Sequence, residues 1–339
     1  CGGWRRGRVE RGRALVGWGE WHELCSDSPC CARALVVRGR GDGPSGANSN
    51  RYVPSNSFAR IVAAWAEPSG SAGSTSTHRI QQVSKPWIIR FQSLPDARVR
   101  LFCLPHAGVG ASAYRTWHTG LGPEVEVCAV QPPGRESRFR EPPYRRLVDL
   151  ADAVADAIAP ETDRPYALFG HSMGAWVAFE VARRLDGRRA GPACLIVSGR
   201  RSPQSEAEAP PIHQLPDDAF IEELMQRFGG IPDAILRDRG VLDLFLPTLR
   251  ADMEAVETYE YVPGSVLSCP VWAVAGARDP WVSRATLEAW RVETTGRFEV
   301  RTFPGGHFYL VEAQGELLAL ITQALRETVR DPRRERARV

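Results

Sequence analysis

The chain has 339 residues, with 43 Lys and Arg against 40 Asp and Glu, and a formal net charge of +3. Much of the basic excess lies at the two ends, and no basic-aromatic motif occurs between them, so a nucleic-acid partner is not expected. No apolar run reaches the ~18 residues that a membrane span needs.

The first 84 residues mix Arg- and Gly-rich runs (Gly2–Arg13), the adjacent Cys30 and Cys31, and a Ser/Gly/Thr-rich tract (Pro68–Thr77). They show no sustained periodicity. Such sequence buries too little apolar surface to fold, so a disordered extension is expected. No continuous apolar stretch marks a signal peptide. Of the eight cysteines, Cys103, Cys128, Cys194 and Cys269 lie in or beside apolar strands and read as small reduced hydrophobes. Cys25, Cys30 and Cys31 lack partners at zinc spacing. No metal or cofactor is expected, and a cytoplasmic setting follows from the thiol usage.

From residue 85 the chain alternates strand and helix. Val99–Leu104 is the first strong core strand, followed by the small, glycine-rich loop Pro105–Gly110. Glu124–Gln131 reads as a second strand, and Leu147–Ala159 as a helix with apolar residues at helical spacing. Pro165–Phe169 is a short apolar strand, and Ala175–Leu185 a helix-forming run without Gly or Pro. Between them lies Gly170-His171-Ser172-Met173-Gly174. A serine flanked by glycines at a strand-to-helix turn reads as a nucleophile elbow, with Ser172 at the C-terminal edge of a parallel sheet. Ala193–Ser198 is the next strand.

About 70 residues then break the alternation and look helical. Asp217–Phe228 stops at Gly229-Gly230, Ile231-Pro232-Asp233 opens a second helix, and Leu242–Thr258 gives a third, kinked or restarted at Pro247. This reads as a lid over about residues 203–262. Phe220, Leu224, Met225 and Phe228, with Leu244, Phe245 and Leu246, are candidates to line a substrate pocket, though most such residues should simply pack the lid. Phe308 joins this candidate set.

Alternation resumes with Pro270–Ala275, closed by Gly276-Ala277-Arg278-Asp279-Pro280. Phe298–Phe303 follows, ending at Pro304-Gly305-Gly306-His307-Phe308, and Gly315–Val329 is a closing helix. An acid and a histidine, each just past a strand, thus follow the serine. The order Ser172, Asp279, His307 is that of α/β-hydrolases. The fold expected is a mostly parallel central sheet with helices on both faces and a helical lid insertion, spanning residues 85–330. Residues 331–339 are a charged tail.

The chemistry needs these residue types. A neutral imidazole must take the proton of a serine hydroxyl as it attacks, and a carboxylate holds the imidazole in the right tautomer. Asp252 is the rival acid, whose replacement would tell against Asp279 if it caused the larger loss. An oxyanion needs two N–H donors. Met173, directly after the serine, should supply one and Ala107 the other. His106 reads as a loop-bracing residue.

Leu101–Gly108, Gln131-Pro132-Pro133-Gly134-Arg135-Glu136, Gly170–Ala175, Asp279-Pro280 and Gly305-Gly306-His307-Phe308 together resemble the type II thioesterases. These are the stand-alone editing enzymes of polyketide and nonribosomal peptide synthesis. The resemblance runs from about Lys85 to about Arg330, and the Pro-His-Ala-Gly and Gly-Gly-His-Phe segments set it apart from generic lipases. It implies Ser172 as nucleophile, His307 as base, Asp279 as orienting acid, and N–H donors on Met173 and Ala107. Val109 departs from it, standing where a second glycine is usual. The implied substrate is an acyl group on the phosphopantetheine arm of an acyl or peptidyl carrier protein; phosphopantetheine then belongs to the substrate. A monomer is expected. The alternatives are a small-ester carboxylesterase using the same triad and a non-catalytic carrier-protein binder.

Overall fold

Two-residue alternation in the strands decides the layering. In the computed structural model, residues 86–186, 191–205, 209–229, 231 and 233–329 are described, all within one unit, Gln81–Val339. The expectations for residues 1–84, for Cys25, Cys30 and Cys31, and for residues 331–339 lie outside them. Seven strands form one sheet in the order β1-β3-β2-β4-β5-β6-β7. They are β1 (Ile88–Ile89), β2 (Val99–Leu104), β3 (Val125–Val130), β4 (Tyr166–His171), β5 (Leu195–Ser198), β6 (Val271–Gly276) and β7 (Phe298–Phe303). All neighbours are parallel except β1, which pairs antiparallel to β3 through Ile88 and Val130. The β1 pair was not foreseen, because two residues carry no periodic signal.

Side chains of successive strand residues point to opposite faces. Phe102, Leu104, Cys128, Val130, Leu168 and Val197 pack on one face against α2 (Leu147–Ile158) and α3 (Met173–Asp186). Leu101, Cys103, Val127, Phe169, Ile196 and Trp272 pack on the other, against α1 (His118–Leu121) and the closing helix α9 (Gln314–Val329). Strands covered on both faces read as continuous apolar runs, which is how β2, β4, β5 and β6 appear in the sequence. Cys103, Cys128, Cys194 and Cys269 are buried thiols, none of them in a disulfide.

The insertion between β5 and β6 carries α4 (Asp217–Arg227), α5 (Asp233–Arg237) and α6 (Arg239–Glu257). It has its own apolar cluster of Ile212, Phe220, Leu224, Ile235, Leu242, Leu246, Leu249 and Met253. The helix does not restart at Pro247. One helix runs from Arg239 through Pro247 to Glu257, opened by Asp238, whose side chain accepts the Val241 N–H at 3.2 Å. Buried packing of Leu246, Leu249 and Met253 along this helix offsets the one backbone hydrogen bond that proline removes. Short helices α7 (Arg284–Glu288) and α8 (Tyr309–Glu312) flank β7.

Candidate active site

Ser172 sits in the left-handed region at φ +53°, between the last residue of β4 and the first of α3. A non-glycine there is strained, and close packing holds it. A Cβ on Gly170 would lie 2.0 Å from the Gly174 carbonyl oxygen, and one on Gly174 would lie 2.2 Å from that of Leu104. The two glycines therefore let the turn close on itself and let α3 begin against the end of β2. The Ser172 N–H donates to the Ser198 carbonyl at 2.8 Å, tying the turn to β5.

Asp279 and His307 arrive from loops stitched together at the neighbouring edge. The N–H groups of Ala277 and Arg278 each donate at 2.8 Å, to the carbonyls of Phe303 and Gly305. His307 Nδ1 lies 2.8 Å from Asp279 Oδ2, and His307 Nε2 lies 3.1 Å from Ser172 Oγ. A carboxylate can only accept, so Nδ1 carries the proton and Nε2 is left to accept from the serine hydroxyl. Asp279 and His307 are 8% and 7% exposed. The Trp281 N–H donates to the second oxygen, Asp279 Oδ1, at 3.0 Å. The rival acid Asp252 is elsewhere, paired with Arg135.

Met173 is the first residue of α3, so its N–H has no acceptor within its own helix. Ala107 packs against both the sheet core and the lid cluster. The aromatic candidates divide. Phe228 lies with its ring centroid 5.4 Å from that of His307 and 5.7 Å from that of Trp281, and Phe308 lies 5.1 Å from His307. Phe220 and Leu224, by contrast, are buried inside the lid, Phe220 beneath the Arg250 guanidinium. Met225 is half-buried and outside that cluster. The structure thus brings Phe228 and Phe308 to the site and turns Phe220 and Leu224 into lid packing, because the apolar stripe of α4 faces α6.

Two further histidines surround His307. His171 is fully buried, its Nδ1 2.9 Å from Ser198 Oγ, which is 2.7 Å from Tyr309 OH. Burial, reinforced by His307 and His106, pushes His171 well below the usual histidine range. Burial pushes His106 down to about 3, with His307 and Arg135 acting in the same direction. Both stay neutral at pH 7, so of the three rings only His307 has a carboxylate to stabilise a positive charge. The sequence hinted at His106 but not at the His171–Ser198–Tyr309 chain or at Trp281. Those partners are 27 to 111 residues apart, or act through a backbone N–H.

Among the described residues no group of three His, Cys, Asp or Glu side chains gathers to hold a metal, and no helix is long and apolar enough to cross a membrane.

The mostly parallel sheet, the strained serine turn and the lid define an α/β-hydrolase fold. Residues 99–325 match the Thioesterase domain family. The gramicidin S biosynthesis protein GrsT of Aneurinibacillus migulanus is 40% identical over 248 residues, 73% of this chain and 96% of that protein. Thioesterase PikA5 of Streptomyces venezuelae is 45% identical over 233 residues, 68% of this chain and 82% of that protein. Among solved structures, the RedJ thioesterase of the prodiginine pathway in Streptomyces coelicolor superposes with a TM-score of 0.64 at 41% identity, covering 73% of this chain and 100% of that one. The chain belongs to the thioesterase domain family.

Proposed function

We propose that this protein hydrolyses acyl groups from the phosphopantetheine arm of carrier proteins, removing stalled or aberrant chains from a polyketide or nonribosomal peptide synthase. The observation that carries the reading is the hydrogen-bonded chain from Ser172 through His307 to Asp279 at a strained elbow. The biosynthetic pathways named for GrsT and RedJ favour carrier-bound substrates. In acylation, His307 Nε2 takes the hydroxyl proton as Ser172 Oγ attacks the thioester carbonyl, and Asp279 stabilises the imidazolium. The N–H groups of Met173 and Ala107 donate to the carbonyl oxygen as negative charge develops on it. The C–S bond breaks, the pantetheine sulfur takes the proton from His307, and an acyl-serine remains. Water then repeats the sequence, losing a proton to His307 as it attacks, and Ser172 recovers its proton as the free acid leaves.

The deciding measurement is kcat/KM for one short acyl group on a carrier protein and on coenzyme A, with a p-nitrophenyl ester as third substrate. Carrier and coenzyme A present the same pantetheine thioester, so any preference arises from contacts with the carrier's body. At least tenfold preference for the carrier is expected, which needs about 1.4 kcal/mol. Equal values would argue against carrier recognition. A much faster ester would favour a carboxylesterase, and no turnover of any substrate a non-catalytic binder.

A further inference from the structure

The segment Gln131–Glu136 stood out in the sequence without an assigned task, and Asp252 stood out only as a rival acid. The structure joins them at one place, the loop that carries Ala107. Arg135 and Asp252 form a bidentate pair, with Nη1 to Oδ2 at 2.6 Å and Nη2 to Oδ1 at 2.9 Å. Their side chains are 4% and 1% exposed. Asp252 Oδ2 also accepts the backbone N–H of Gly108 at 2.7 Å, one residue from Ala107. The rest of the segment grips the far end of the same loop. Gln131 Oε1 accepts the Ala111 N–H at 3.0 Å, and the Glu136 carboxylate accepts the Ser112 hydroxyl at 2.5 Å. Glu136 itself adopts φ +45°, a strained setting that this grip sustains. Thr248, one turn before Asp252 on α6, donates to the Gly134 carbonyl at 2.6 Å.

We propose that Arg135 and Asp252 are positioning residues, a buried clamp that holds the loop carrying Ala107, the residue whose N–H serves the oxyanion in the mechanism above. The inference rests on the acyl-serine mechanism above. The guanidinium fork orients the carboxylate, and the carboxylate holds the Gly108 amide; loss of either lets the loop relax away from the developing oxyanion. A buried ion pair is often no more stabilising than apolar residues of the same volume. Its geometric precision, however, is what an oxyanion donor requires, since rigid donors act without reorganisation at the moment of reaction.

That contrast supplies the test. The double variant Arg135→Met/Asp252→Leu removes both charges together, and Asp252→Asn keeps the shape while breaking the clamp. Each is checked for folding by thermal melting and assayed below its Tm on an acyl pantetheine thioester. Removing an oxyanion donor outright lowers kcat by about 10² to 10³; a displaced donor should lower it by about 10- to 100-fold, with KM changed less than threefold. A trifluoromethyl ketone, which forms a tetrahedral adduct with Ser172, should weaken in step with kcat. A planar, non-hydrolysable amide analogue should bind as before, and the pH profile of kcat/KM should keep its position. A purely structural pair would lower Tm and leave these ratios alone. The proposal is overturned if either folded variant keeps kcat within threefold of the parent, if both inhibitors weaken equally, or if the pH profile moves. Ser172→Ala is run alongside: if it retains turnover, the acyl-serine reading itself has failed, whereas its inactivity beside an active clamp variant refutes the clamp alone.

Discussion

Replacing Gly174 with alanine tests whether the elbow's geometry is set by backbone contact. The added Cβ would lie 2.2 Å from the Leu104 carbonyl oxygen and 2.7 Å from that of Pro105. An ordinary carbon-to-oxygen contact is roughly 3.3 Å, so the start of α3 and the end of β2 must part by about 1 Å. Overpacking of this kind destabilises by about 1–3 kcal/mol. A displacement of about 1 Å at reacting groups lowers the rate by about 10²-fold, because Ser172 and the Met173 N–H move with the helix. Gly315 is the built-in control. It is likewise the second residue of a helix, α9, but a Cβ there meets nothing within 4 Å. Gly315→Ala should therefore be neutral, or stabilising by up to about 1 kcal/mol, with unchanged kinetics. The assay is chemical denaturation together with kcat/KM on an acyl pantetheine thioester. Gly174→Ala with parental stability and kcat/KM would refute the reasoning, as would equal damage from both substitutions.

Asp279→Asn should lower kcat by about 10⁴-fold, because the amide favours the wrong imidazole tautomer, and Asp252→Asn should lower it far less; the reverse ranking in steady-state kinetics would reassign the acid. His171 has its pKa lowered by burial, so below about pH 6.5 the unfolded chain binds a proton that the folded chain refuses, and stability falls as pH falls. Its contribution to the slope approaches about 1.4 kcal/mol per pH unit. Denaturation curves at pH 7.5 and 5.0 should show the parent losing more stability than His171→Asn, by about 2 kcal/mol; equal losses would mean that His171 is charged in the folded protein.

The order of strands and helices was legible along the chain because each signal is local. Apolar runs announced β2, β4, β5 and β6, since both faces of the sheet are covered, and alternation announced β3. Gly170 and Gly174 announced the turn, since only a residue without Cβ admits a carbonyl at about 2 Å. The order of Ser172, Asp279 and His307 was readable for the same reason: each follows a strand that could be read by itself. A restart at Pro247 is one of the two outcomes its sequence suggests, and it does not occur, because buried contacts along α6 outweigh the single hydrogen bond that proline removes, and those contacts come from residues far along the chain. Only the tertiary structure decided which lid aromatic meets the site. Phe220 and Phe228 differ little in sequence setting, yet one packs inside the lid and the other against His307. Likewise the Arg135–Asp252 pair joins residues 117 apart. No local periodicity or motif encodes such a contact; it exists only when the lid has folded back over the loop, where burial removes competing water and makes the charges seek each other.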